Sequence, residues 1–506
     1  MPGNLARIEV ARDRRLYFDH FLQPFGGRQK TIIFLKNIMV HLQQFNLSRS
    51  AQALKMNGRM QKSQPSFYHF LLFFLVVICS AHANGQSQAE KALSAKMESM
   101  ITPEMKKVIA WRRDFHQHPE LSNREFRTAK EITGFLSSLG LQVQTGVAKT
   151  GVVALLVGGR PGPVVALRAD MDALPVTERG TLSFRSRDSV DYNGRKTGVM
   201  HACGHDTHVA MLMGAAEILS AMKSELKGTV KFIFQPAEEG PPSGEEGGAK
   251  MMVKEAVLEN PKVDVIFGQH ISSGNRVGVF TYRSGSVSAE NDIFRIVVKG
   301  RQSHGASPWS GIDPIVVASQ IVTALQTIVS RNLPLTTQPA VITVGSFHSG
   351  NRENIIPEEA VLTGTIRTLD SNMRNTIHSR MRELVTRMAE SAGATAEINI
   401  SMEDAMLVND PALTAQMIPV LKRLAGDSGL VEVNAGMGAE DFAYFAQKVP
   451  GFYFQTGALP AGKKSSEVLH HTPDFQIDEQ GMEWGLRAIV LLTINYMESH
   501  ESTRKN

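Results

Sequence analysis

Four short apolar runs, at residues 152–157, 164–169, 230–234 and 263–267, fix most of what this chain can become. Each is strand-length and apolar at nearly every position, the pattern of a strand buried on both faces. Segments with helical spacing separate them, notably 208–224 and 246–258, and a longer one from Glu90 to about Phe135 precedes them. Strands alternating with helices predict an α/β fold with a mainly parallel sheet. Such sheets place ligands beyond the carboxyl ends of their strands. Three chemically loaded clusters fall there: Arg168-Ala-Asp-Met-Asp172, residues 235–240 and residues 268–270.

From about residue 284 the pattern changes. Strand-like runs at 293–298, 341–347, 360–368 and 394–400 alternate with helical segments at 314–329 and 373–392. The order β-α-β-β-α-β is the ferredoxin-like, split-βαβ pattern. It predicts a domain inserted at about 287–402, with the parallel-sheet domain in two parts, 90–286 and 403–506. A chain of 506 residues is long enough for more than one core.

The net charge of +5 misleads. Residues 1–83 hold 11 Lys/Arg against 3 Asp/Glu, leaving 43 against 46 for the rest. The basic excess belongs to the leader and gives no case for a nucleic-acid partner. Within it, residues 67–78 are almost continuously apolar, Lys62 and Arg59 lie upstream, and Ala81-His-Ala83 is a small-x-small cleavage pattern. This is the form of a secretory signal peptide over about 60–83, and it predicts an exported, periplasmic or secreted protein cut after Ala83. The run is shorter than the ~20 residues of a bilayer span, so no stable membrane span is expected in the mature chain. Such a peptide would begin at Met60 or Met56, so residues 1–59 are expected either to precede the true start or to form a poorly structured extension. Cleavage leaves Cys203 as the sole cysteine and rules out an internal disulfide.

That cysteine lies in Met200-His-Ala-Cys-Gly-His-Asp206, where His201, Cys203, His205 and Asp206 are all ligand types. Three more such clusters follow: Gln235-Pro-Ala-Glu-Glu-Gly240, Phe267-Gly-Gln-His270 and Leu469-His-His-Thr-Pro-Asp-Phe475. The set mixes thiolate, imidazole and carboxylate, whereas a structural zinc site more often draws on four Cys and His. Glu238 and Glu239 follow a strand directly. Adjacent carboxylates there can divide the work, one binding metal and the other taking a proton from water.

The ordered set Leu167-Arg-Ala-Asp-Met-Asp-Ala-Leu-Pro175, Met200–Asp206, Gln235–Gly240, Gly438-Ala-Glu-Asp-Phe442 and His471-Thr-Pro-Asp-Phe475 resembles the amidohydrolase branch of the aminoacylase and carboxypeptidase metallopeptidases. Hippurate hydrolases, N-acyl-amino acid amidohydrolases and plant indole-acetyl-amino acid hydrolases belong to that branch. The resemblance runs from about Met97 to Met497. It implies two divalent metal ions, Mn or Zn first and Co or Ni as alternatives, held by Cys203, His205, Glu239, His270 and His471. Glu238 matches the general base. The His-x-Pro-x-Phe spacing selects His471 over its neighbour His470. His201, Asp206, Asp170 and Asp172 match residues that orient ligands. Where other branches carry a ligand His two residues before an Asp, this chain has Arg168, a departure that fits a branch using Cys203 instead.

The inserted segment carries Gly300-Arg-Gln-Ser-His304-Gly-Ala, which resembles a lid loop whose His reaches a neighbouring active site across a homodimer. Asn354 matches a residue that binds the substrate carboxyl or stabilises the oxyanion. The implied activity is metal-dependent hydrolysis of N-acyl amino acids or similar small conjugates, releasing a carboxylic acid and an amino acid. A secreted dipeptidase or carboxypeptidase is the alternative, and a non-catalytic acyl-amino acid binding protein a weaker one, since the Glu238-Glu239 pair is intact.

Overall fold

The structure is a computed structural model describing residues 88–501. The leader expected over residues 1–83 lies outside the described residues.

Helix α1 (Gln88–Gln117) buries Leu93, Met97, Ile101, Met105, Val108 and Phe115 along one stripe. The helical pattern read through to Phe135 is two helices. Pro119 disfavours helical backbone at His118, Asn123 takes φ +61°, and α2 (Phe126–Ser138) starts afresh. Then come β1 (Gln142–Val147), β2 (Gly151–Val157), β3 (Arg160–Asp170), α3 (His205–Ala221), β4 (Lys227–Gln235), α4 (Gly248–Lys254), β5 (Val265–Arg276) and β6 (Phe280–Tyr282). A second sheet follows, from β7 (Glu290–Lys299), α5 (Pro314–Thr327), β8 (Ala340–Ser349), β9 (Glu359–Thr368), α6 (Ser371–Ser391) and β10 (Thr395–Asp404). The chain returns to the first sheet with α7 (Pro411–Ala425), β11 (Leu430–Glu432), β12 (Gly451–Leu459) and α8 (Gln480–Ser499).

The first sheet has eight strands in the order β1-β2-β4-β3-β5-β12-β6-β11. Its centre, β4-β3-β5-β12, is parallel, and β1 and β2 add an antiparallel edge. Alternation along each strand feeds two cores. Leu167, Phe232 and Phe267 pack with α1, α3 and α8, while Ala166, Ile233 and Ile266 pack with Met252, Phe442 and Phe445 on the opposite face. Helix α3 is buried almost all round, as its run of Val, Ala, Met, Leu and Ile dictates.

The second sheet has four strands in the order β8-β9-β7-β10, every pair antiparallel. Phe294, Ile296, Leu362 and Ile366 face Val317, Ile321 and Leu325 of α5 and Ile377, Met381 and Val385 of α6 in a core of their own. Asp313 and Asp370 cap these helices, each accepting two backbone N–H bonds. Pro314–Asn332 is the one described helix long and apolar enough to cross a membrane by length and composition. It packs instead on this sheet.

Register sets up the site. Asp170 lies opposite Gln235, so β3 and β4 end level. β3 leaves β5 at Arg168 opposite Gly268. The apolar run predicts a strand ending near Phe267, with residues 268–270 beyond it, whereas β5 runs on to Arg276, held by parallel pairing to β12. His270 therefore stands inside a strand, just past the point where its other neighbour stops.

Candidate metal centre

The loops beyond these strand ends converge. Cys203-Gly204-His205 enters α3 through Gly204 at φ +95°. A Cβ there would lie 2.4 Å from Ile271 Cγ2, so only glycine lets the turn approach β5. Ala237, at φ +52°, bends the chain after β4, and two bonds hold the bend. Its N–H donates to Glu125 Oε1 at 2.9 Å, and the Glu239 N–H donates to Asp172 Oδ2 at 3.0 Å. His471 also has left-handed backbone, φ +60°, and its N–H donates to Ala202 O at 2.8 Å. Left-handed backbone at non-glycine residues is strained and concentrates at functional sites.

Cys203 Sγ lies 3.2 Å from His270 Nε2 and 3.3 Å from His471 Nε2. His471 Nε2 is 3.3 Å from Glu239 Oε1. His205 Nε2 is 3.8 Å from Glu238 Oε2 and 4.0 Å from Glu239 Oε1. Cys203, His205 and His270 form one compact trio, and Cys203, Glu239 and His471 another, with the thiol common to both. His470 turns elsewhere, bonding Cys203 O at 3.1 Å and the Ser273 N–H at 3.3 Å.

These residues fit metal ions. His205 Nε2 is buried with no hydrogen-bond partner, although such atoms are almost always satisfied. The site is also short of positive charge. Burial and the nearby Glu440 and Glu239 push Glu238 well above the carboxylate range. Hydrogen bonds to Cys203 and Glu239 hold His471 up at about 10. Burial keeps His270 well below its ordinary value.

The residues expected to orient ligands behave differently from one another. Asp172 accepts from His205 Nδ1 through its carbonyl at 2.9 Å and from Ser122 Oγ through its carboxylate at 2.7 Å. Fixing Nδ1–H in this way leaves Nε2 free for a metal. Asp170 bonds His208 Nδ1 at 2.5 Å and Arg168 Nη1 at 2.5 Å. Asp206 points away, to Arg112 Nε at 2.8 Å and His116 Nδ1 at 3.0 Å. His201 is buried, its ring nitrogens bond nothing, and burial lowers it to about 4. Arg168, marked as a departure from other branches, is a buried cation among Asp170, Asp441, Glu440 and Gln235.

A cleft of about 1330 Å³ includes the cluster, and its lining takes in Cys203, Glu238, Glu239, His270 and His471 together with Asn291, Ile293 and Arg367 of the second sheet. His304 and Asn354 are not among its lining residues. They lie together on the second sheet's exposed loops, where the Gly305 N–H donates to Asn354 O at 2.8 Å. Sequence reasoning missed His208, whose signal was a third histidine three residues after His205. It also missed Arg367, a charge in an otherwise strand-like run.

A thiol, three imidazoles and paired carboxylates beyond the carboxyl ends of a parallel sheet define a metal-dependent α/β hydrolase. Residues 166–495 match peptidase family M20/M25/M40, and the chain belongs to that family. It is 43% identical over 392 residues to thermostable carboxypeptidase 2 of Saccharolobus solfataricus, covering 77% of this chain and 95% of that one. It is 36% identical over 394 residues to N-acetylcysteine deacetylase of Bacillus subtilis, covering 78% and 97%. Among solved structures it resembles the Bacillus subtilis YXEP protein, a dinuclear metal binding peptidase from the M20 family, with a TM-score of 0.66, 33% identity and 78% and 99% of the two chains covered. The chain is thus a hydrolase of amide bonds, in the amidohydrolase branch of its family.

Proposed function

We propose that this protein hydrolyses the amide bond of N-acyl amino acids, hippurate-type conjugates included, at a two-metal centre. The observation that carries the reading is the pair of ligand trios sharing Cys203, with a second carboxylate, Glu238, beside them at 3.8 Å from His205 Nε2. Cys203, His205 and His270 would hold one ion, and Cys203, Glu239 and His471 the other, with Mn or Zn as the ions of choice. Bound divalent ions contribute Lewis acidity, which makes water acidic near neutrality and polarises an amide carbonyl. Glu238 takes the proton from the attacking water and then passes it to the leaving amine nitrogen. Arg367, which lines the same cleft, would meet the substrate carboxylate.

His304 lies off its own cleft, so we assign its oxyanion-stabilising role, with Asn354, to the neighbouring site of a homodimer. Val341 and Phe347 on edge strand β8 and Ile315 and Val316 on α5 are exposed apolar side chains available for that contact. Export with removal of the leader after Ala83 completes the reading, and sequencing the N-terminus of the secreted form checks it.

A panel of N-acetyl, benzoyl, indole-acetyl and long-chain acyl amino acids, set against dipeptides, tests the substrate class. Faster turnover of the acyl-amino acids is expected. Preference for peptides would favour the carboxypeptidase alternative, which the similarity to the Saccharolobus enzyme supports.

A further inference from the structure

His208 lies among the ligand-type residues, and the mechanism above makes no use of it. It follows His205 by almost one turn on α3 and is 2% exposed. Its Nε2 accepts the Ile271 N–H at 2.8 Å, and its Nδ1 meets Asp170 Oδ1 at 2.5 Å. Accepting at Nε2 puts the proton on Nδ1, which donates to Asp170.

The sheet explains the first bond. β3 pairs with β5 only as far as Arg168 opposite Gly268. The Ile271 N–H therefore lies beyond the end of the neighbouring strand, in a residue that is fully buried. A buried backbone donor needs an acceptor, and His208 takes the place of the missing strand. Ile271 in turn supplies the carbonyl that accepts from His270 Nδ1 at 2.6 Å, which leaves His270 Nε2 facing Cys203 Sγ. The His208 ring also stands edge-on to the His270 ring, with centroids 4.6 Å apart. On its other side, Asp170 joins Arg168, which holds Glu440 and Asp441.

We propose that His208 is a positioning residue for the metal centre: by fixing Ile271 it sets the plane of His270 and so the affinity of the ion that Cys203, His205 and His270 share. This rests on the two-metal reading above. Ligand-orienting partners of this kind are worth ~10–100-fold in metal affinity.

The test is cobalt(II) titration of the metal-free protein against a competing chelator, following the thiolate-to-cobalt band of Cys203. Wild type is expected to take up two equivalents. His208→Phe should weaken one of them by ~10–100-fold and shift the band. His208→Gln, with an acceptor where Nε2 stands, should return close to wild type. His208→Asn, which keeps only the donor toward Asp170, should behave like the Phe variant. Wild-type affinity in the Phe and Asn variants would overturn the proposal while leaving the metal centre standing. If the Phe variant does not fold, the Gln–Asn pair decides, and Asn binding as tightly as Gln overturns it. A wild-type protein that takes up no cobalt would bring down the metal-centre reading, and this proposal with it.

Discussion

Residues that do chemistry here are separated from residues that hold them by a few ångströms and by hydrogen bonding. Glu238 has neighbours but no fixed bond, whereas Glu239 is tied through its N–H to Asp172. Glu238→Gln should keep both ions and the fold yet lose at least ~100-fold in kcat, the usual weight of a general base. Steady-state rates and metal analysis on the same sample check this. A second titrating group lies off the site. Burial opposes a charge on His116, but Asp206 and then Glu178 outweigh it and raise its pKa. A histidine raised on folding stabilises fully below its unfolded value of about 6.5, and that stabilisation is lost as pH rises through the folded value. The stability advantage of wild type over His116→Gln should therefore be largest at pH 6 and shrink above it, as urea unfolding across pH 6–9 would read. An advantage that grows with pH would contradict the charged pair.

Elements explain why some features were legible in the sequence and others were not. β2, β3 and β4 were legible because strands buried on both faces must be apolar throughout, and they match within a few residues at each end. The convergence of Cys203, Glu239 and His270 was legible only through the ordered motifs that carry the family resemblance, since no local pattern says which strand ends meet. The break between α1 and α2 was not, because amphipathic spacing resumes after it with little change. Nor was the length of β5, since Ser272, Ser273 and Asn275 read as a loop and become strand only through pairing with β12. The role of His208 depends on where β3 ends, which no local pattern encodes. Capping gives an element-scale prediction. Asp370 accepts from the Asn372 and Met373 N–H groups. Asp370→Ala should cost about 1 kcal/mol of stability while hydrolysis stays at the wild-type rate, measured by thermal unfolding and assay together.

At the scale of the whole molecule, the cleft takes its lining from both sheets. That is why Arg367, on β9, escaped a reading made cluster by cluster. His304 and Asn354 do not line the cleft of their own chain, and the homodimer reading turns that into a prediction. Glu238→Gln and His304→Ala proteins, each nearly inactive, should recover about a quarter of wild-type activity when unfolded together and refolded as a mixture, because half the dimers of a two-fold pair are mixed and one site in each is intact. No recovery would place His304 at its own site or outside catalysis. The central claim is that amide hydrolysis here needs the metal centre and acts on acylated amino acids. Its most direct measurement is hippurate hydrolysis by protein stripped with a chelator and then reloaded with Mn or Zn. Turnover should vanish on stripping and return with the second equivalent of metal. Undiminished turnover in the stripped protein, or none in the fully loaded one, would contradict it.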